Sequence, residues 1–157
     1  MRFWLGLAAC GWMLCGQDAA FVTMTPKGVA KVHEGAARAR RRMSPCSTFK
    51  IPNALIGLET GAIPSPDFVI RFDEKKHRTG TFWVDAWSKD QDLRSAFRVS
   101  AVWYFRELAA RVGEGNMKAF VERFGYGNRD VSAWPAAFWI GSSLRISPVE
   151  QVELLRT

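Results

Sequence analysis

The chain has 157 residues, a length that fits one domain and not two. Hydrophobic residues make up 48% and charged residues 24%, ordinary globular proportions that exclude a disordered or collagen-like chain. Lys and Arg number 22 against 15 Asp and Glu, and the net charge of +7 is satisfied equally by an anionic-surface binder and by a cationic secreted enzyme.

Residues 1–16 read as an export signal, which places the protein in the periplasm or outside the cell. Met1-Arg2 supplies a positive start, and Phe3 to Cys15 is an uncharged apolar run broken only by glycine. That run is too short to span a bilayer, which takes roughly 20 apolar residues. Cleavage is expected near Gly16, although Leu14 is an imperfect residue for the position three before the cut. Leu7-Ala8-Ala9-Cys10 also resembles a lipoprotein processing site, so membrane contact is expected only through a lipid at Cys10. A buried N-terminal helix ranks below export. Removal of the signal takes Cys10 and Cys15 with it and leaves Cys46 alone, without a disulfide framework. His33 and His77 stand far from each other and from Cys46, so no metal site is expected and both read as polar surface residues.

Phe21 to Val32 alternates weakly around Pro26-Lys27-Gly28 and predicts a hairpin of short strands. Ala36 to Arg42 is the densest basic stretch. No aromatic platform or recognition motif accompanies it, so a solvated loop or strand is expected and no nucleic-acid partner. From Ser47 the pattern turns helical: Phe49, Ile51, Ala54, Leu55 and Leu58 suit a buried helix that stops at Gly61, with Pro52 tolerated in the first turn. Residues 62–87 read as loops and short extended pieces. Helices are predicted over about Asp92 to Arg98, Ala101 to Val112 and Asn116 to Phe124, followed by a turn at Tyr126-Gly127-Asn128. A last amphipathic stretch begins after Pro148.

Ser47-Thr48-Phe49-Lys50 carries the candidate chemistry. Residues three apart share a helix face, so the hydroxyl and the amine can meet. A serine hydroxyl attacks only when a base takes its proton, and a lysine is such a base only when desolvation lowers its pKa or its amine is altered. Alone, the tetrapeptide fits a capped helix with an exposed lysine better. Three later features favour the chemical reading. Ser100-Ala101-Val102 opens a helix with a second hydroxyl, Tyr126-Gly127-Asn128 presents polar side chains on a turn, and Phe138-Trp139-Ile140 brings an indole N–H able to hydrogen-bond a modified lysine.

In this order and spacing the residues resemble the class D, or oxacillinase-type, serine β-lactamases. The resemblance runs through Pro45-Cys46-Ser47-Thr48-Phe49-Lys50-Ile51-Pro52-Asn53-Ala54 and Gly57-Leu58-Glu59-Thr60-Gly61. It continues through Trp87, Asp90 and Leu93 to Ser100-Ala101-Val102, then Tyr126-Gly127-Asn128, Phe138-Trp139 and Leu144-Arg145-Ile146-Ser147. It implies an α+β, β-lactamase/transpeptidase-like fold over residues 17–157, mainly its helical part. It implies Ser47 as the acylated nucleophile and Lys50, N-carboxylated by carbon dioxide, as the base for acylation and deacylation. Ser100 would shuttle a proton to the lactam nitrogen, and the Ser47 N–H would be half of an oxyanion hole. Val102, Tyr126, Asn128, Trp139 and Ile140 would line the pocket. The implied partners are β-lactam antibiotics, and the implied cofactor is none beyond carbon dioxide or bicarbonate.

Two departures accompany the match. Ile140-Gly141-Ser142 stands where the family has leucine, an acidic residue and glycine, and the mild Leu-to-Ile change keeps volume. The family's Lys-Thr/Ser-Gly strand would come after residue 157, with much of the antiparallel sheet, so the resemblance implies a C-terminally truncated member. Loss of one oxyanion donor costs about 10²–10³ in turnover, so the expectation is a weakened or inactive enzyme. The alternative reading is a penicillin-binding sensor or transpeptidase-like domain that acylates and deacylates slowly.

Overall fold

The computed structural model describes residues 19–156 apart from Pro26, Thr79, Gly80, Ala136 and Ala137, so the expected export signal over residues 1–16 lies outside the described residues. Phe21–Met24 (β1) and Ala30–Glu34 (β2) pair antiparallel, Val22 opposite Val32 and Thr23 opposite Lys31, as the alternation predicts. This hairpin is the only sheet among the described residues, and helices and turns supply the remainder of an α+β architecture. No helix among the described residues is long and apolar enough to cross a membrane.

The basic stretch is helical where a loop or strand is expected. Ala36–Arg40 forms a short helix, α1. Alanine and arginine are both strong helix formers, and Arg38 and Arg40 in the last turn suit the negative end of the helix dipole. Ala39, on its inner face, is fully buried. Arg42 forks onto Glu150, its Nε donating to both carboxylate oxygens at 2.9 and 3.1 Å.

Cys46–Phe49 makes one 3₁₀ turn that runs directly into Lys50–Glu59, α2. Pro52 lies in the first turn of α2, as expected. The buried face differs in part from the one predicted: Phe49 and Ala54 are buried as expected, but Ile51 and Leu55 are exposed, while Asn53, Ile56 and Gly57 face inward. A 3₁₀ turn winds three residues per turn, so it resets the phase of the helix that follows. The partner helix then selects the face. That partner is Val102–Val112, α5, and it approaches so closely that a Cβ on Gly57 would stand 2.6 Å from Leu108 Cδ1. Asn53 Nδ2 donates to the Phe105 carbonyl at 2.9 Å and locks the two helices in register.

Glu74–His77 (α3) and a 3₁₀ turn at Asp85–Trp87 punctuate the irregular stretch before α4, Leu93–Arg98. His77 is not a surface residue. It is 9% exposed, stacks on Trp103 at 4.6 Å between ring centroids, and accepts the Asp73 N–H at Nδ1. Local satisfaction of that ring nitrogen lets the imidazole enter the core, and burial holds its pKa below the ordinary histidine range.

Asp92 and Ser95 form a reciprocal cap on α4, and Ser147 and Glu150 do the same for Pro148–Leu154, numbered α7 below. Glu114–Arg123 is α6, beginning two residues before the predicted start. The core gathers Phe49, Ile56, Trp103, Tyr104, Phe105, Leu108, Met117, Tyr126, Phe138, Trp139 and Leu144 between α2, α5, α6 and the turns after α6.

Candidate active site

Ser47 occupies the 3₁₀ turn ahead of α2 and is exposed. The turn is held from outside by residues 139–141. The Trp139 carbonyl accepts the Cys46 N–H at 3.0 Å and the Ser44 hydroxyl at 2.9 Å. Ser44 Oγ in turn accepts the Gly141 N–H at 2.7 Å. Cys46 is thereby fixed at φ 47°, a left-handed conformation that a side-chain-bearing residue adopts only where its surroundings over-determine it. Phe49 anchors the turn from inside, wedged between Trp139, Phe138 and Tyr126 at centroid distances of 5.6, 5.2 and 5.4 Å.

Lys50 is the first residue of α2, and its side chain is 2% exposed. Its Nζ donates to Ser47 Oγ at 2.8 Å and to Ser100 Oγ at 2.7 Å. Ser100 Oγ donates to Ser47 Oγ at 3.2 Å and closes a triangle of three polar heads. The ring of Phe105 lies beside the amine, 5.6 Å from Nζ to its centroid. Burial is the main influence on this amine and lowers its pKa to about 8, with the neighbouring Cys46 opposing. No carboxylate pairs with Lys50 among the described residues. A large fraction of the amine is therefore neutral in mildly alkaline water, and a neutral amine can accept the Ser47 proton.

Ser100 reaches this site because α4 ends in a left-handed residue. Ser100 has φ 53°, the Ala101 N–H bonds back to the Ala96 carbonyl at 2.9 Å, and the Ser100 N–H bonds to the Phe97 carbonyl at 3.1 Å. These are the bonds of a Schellman helix end, with serine where glycine is usual.

The remaining predicted residues separate into two groups. Val102 and Ile140 line one cleft of about 300 Å³ together with Trp87, Trp103, Phe82 and Arg106. Tyr126, Asn128 and Trp139 instead brace the scaffold. Tyr126 is buried behind Phe49, and burial pushes its phenol well up. Asn128 Nδ2 donates to the Ser143 carbonyl at 2.8 Å, and its Oδ1 accepts the Arg145 N–H at 2.8 Å. Trp139 is fully buried, and no hydrogen bond joins its indole to Lys50 among the described residues. Three contributors were not singled out from the sequence: Phe105, Ser44 and Asn53. Phe105 was legible in principle, because it lies three residues after Val102 on the same helix and so shares its face. Ser44 and Asn53 carry no such signal, since each is defined by a partner far along the chain. Among the described residues, no group of three or more His, Cys, Asp or Glu is arranged to hold a metal ion.

The penicillin binding protein transpeptidase domain matches residues 22–157. The chain is 44% identical over 121 residues to Beta-lactamase OXA-19 of Pseudomonas aeruginosa, an alignment covering 77% of this chain and 44% of that one. It is 38% identical over 115 residues to Regulatory protein BlaR1 of Bacillus licheniformis, covering 73% of this chain and 18% of that protein. Its structure superposes on that of BPu1 beta-lactamase with a TM-score of 0.79 at 39% identity, covering 87% of this chain and 57% of the other. The chain thus spans less than half the length of the curated relatives it matches.

Proposed function

The chain belongs to the penicillin-binding protein transpeptidase-domain family and resembles its class D β-lactamases, and on that premise we propose that it is acylated by β-lactams at Ser47 and hydrolyses them. The observation that carries this reading is the triangle of Ser47, Lys50 and Ser100, with the amine desolvated at its apex.

Neutral Lys50 takes the Ser47 proton as Oγ attacks the lactam carbonyl carbon. As the lactam C–N bond breaks, the Ser100 hydroxyl gives its proton to the departing nitrogen and recovers one from Lys50, which lies 2.7 Å away. The Ser47 N–H lies in the first turn, where the closing bonds begin at Thr48 N–H to the Pro45 carbonyl. We assign to it the stabilisation of the oxyanion that forms on the attacked carbonyl. Water then cleaves the ester and restores Ser47.

The residues around Lys50 suit N-carboxylation: the amine is buried, its pKa is lowered to about 8, and Phe105 keeps its flank apolar. Carbon dioxide bound there would supply an anionic base in place of the amine. Val102 and Ile140 line one cleft with Trp87 and Trp103, and we assign them the role of restricting water around that base. We assign the reaction to a site outside the cytoplasm, on the strength of the export signal in residues 1–16.

The test is mass spectrometry of the purified chain after benzylpenicillin, with nitrocefin hydrolysis in bicarbonate beside Ser47→Ala. A covalent adduct and turnover that both vanish in S47A are expected. Equal behaviour of the two proteins would sink the reading. The match to a regulatory protein favours a second reading, a domain that acylates and holds its adduct. An adduct persisting for hours without turnover would select it.

A further inference from the structure

We propose that Trp87 is a positioning residue for Ser100, its indole N–H holding the Val99 carbonyl so that the Ser100 hydroxyl meets Lys50 and Ser47. The inference rests on the reading of Ser100 as part of the reactive triangle, and it adds a residue outside that triangle.

Ser100 stands at φ 53°, which an L-residue other than glycine leaves unless neighbouring bonds prevent it. The peptide between Val99 and Ser100 is restrained at both ends. Its N–H bonds to the Phe97 carbonyl at 3.1 Å, and its oxygen accepts the Trp87 indole at 2.9 Å. The first bond belongs to the helix end and would form with any residue there. The second comes from twelve residues upstream and is the only one of the two that a side chain controls.

Trp87 is itself held. Its ring is 6% exposed, packed edge-on against Trp83 at 5.3 Å, and its own carbonyl accepts the Trp103 indole at 2.9 Å. Trp103 is in turn stacked on His77. A rigid aromatic row therefore ends on the Val99–Ser100 peptide, whose rotation would swing Ser100 away from Lys50. Buried bonds of this kind persist because each polar group would otherwise be left without a partner.

The experiment is a double-mutant cycle of Trp87→Phe and Ser100→Ala in the full chain. The first readout is the titration of Lys50, followed by NMR of its ¹³Cε signal in lysine-labelled protein. S100A removes an acceptor from the ammonium and is expected to lower the Lys50 pKa. W87F is expected to lower it in the same direction, and to add nothing in the S100A background. The second readout is the rate of acylation by a fluorescent penicillin, expected to fall roughly tenfold in W87F and no further once Ser100 is gone. A merely structural loss would move both readouts equally in either background. An unchanged Lys50 titration in W87F, or additive effects, would overturn the inference. Should the cycle hold for the titration while no variant, nor the parent, is acylated, the positioning stands and the catalytic reading falls. If W87F does not fold, 3-benzothienylalanine at position 87 keeps the ring shape and removes only the N–H, and the same two readouts apply.

Discussion

Lys50 Nζ donates to Ser100 Oγ across 2.7 Å, joining the first residue of α2 to the turn that precedes α5, although fifty residues separate them in the chain. The bond exists only because two helix ends meet. Its consequence is an amine removed from water and left with hydroxyls in place of a counter-ion.

Such a site is held against its own solvation. Lys50→Met is therefore expected to stabilise the protein near pH 7, by as much as about 3 kcal/mol, while abolishing acylation. The folded amine releases its proton at about 8 and the unfolded one at 10.5. Between those values the unfolded chain binds more protons, so stability of the parent protein rises with pH and the advantage of K50M shrinks. Below about pH 8 the advantage is fully present. Urea denaturation of both proteins from pH 6.5 to 10.5 measures it, and a variant less stable at every pH would refute the account.

Asn128 distinguishes a pocket role from a bracing one. Asn128→Ala removes the bonds to Ser143 and Arg145 and should lower stability by about 2 kcal/mol. Acylation well below the melting temperature should stay within a few-fold of the parent. A large rate loss with unchanged stability would show that the side chain contacts substrate.

Gly127 and Gly61 both have positive φ, at 49° and 71°, but differ in their surroundings. A Cβ at Gly127 collides with the Arg145 carbonyl oxygen, whereas at Gly61 nothing lies within 4 Å. Gly61→Ala should cost about 1 kcal/mol, the strain of the backbone alone. Gly127→Ala should cost at least several times more and could leave the chain unfolded. Similar melting temperatures for the two variants would contradict the close approach of the turn to residue 145.

The phase of α2 yields a further comparison. Ile56→Ala should destabilise by about 2–5 kcal/mol, as truncation of a filled core position does, and Leu55→Ala by well under 1 kcal/mol because that side chain is 55% exposed. Chemical denaturation curves decide it. A reversed order would restore the face that spacing alone suggests.

Those two residues mark where the sequence stops being sufficient. The hairpin and the approximate extents of α2, α4, α5, α6 and α7 were legible because their causes act over a few residues, alternation in β1 and β2 and helical apolar spacing elsewhere, whereas α1 and α3 were not expected as helices. The separation of Ser47 from Lys50 was legible for the same reason, since helical geometry brings residues three apart together. Which face of α2 is buried was not, because α5 chooses it through Gly57 and Asn53. Nor was the burial of His77, which depends on Trp103 arriving from another helix. By itself the sequence determined that a hydroxyl and an amine could meet on one turn. Tertiary structure alone decided that the amine would be dry, that its pKa would fall, and that Ser100 would complete the triangle. Desolvation is a property of everything packed around a group, and no local stretch of chain contains it.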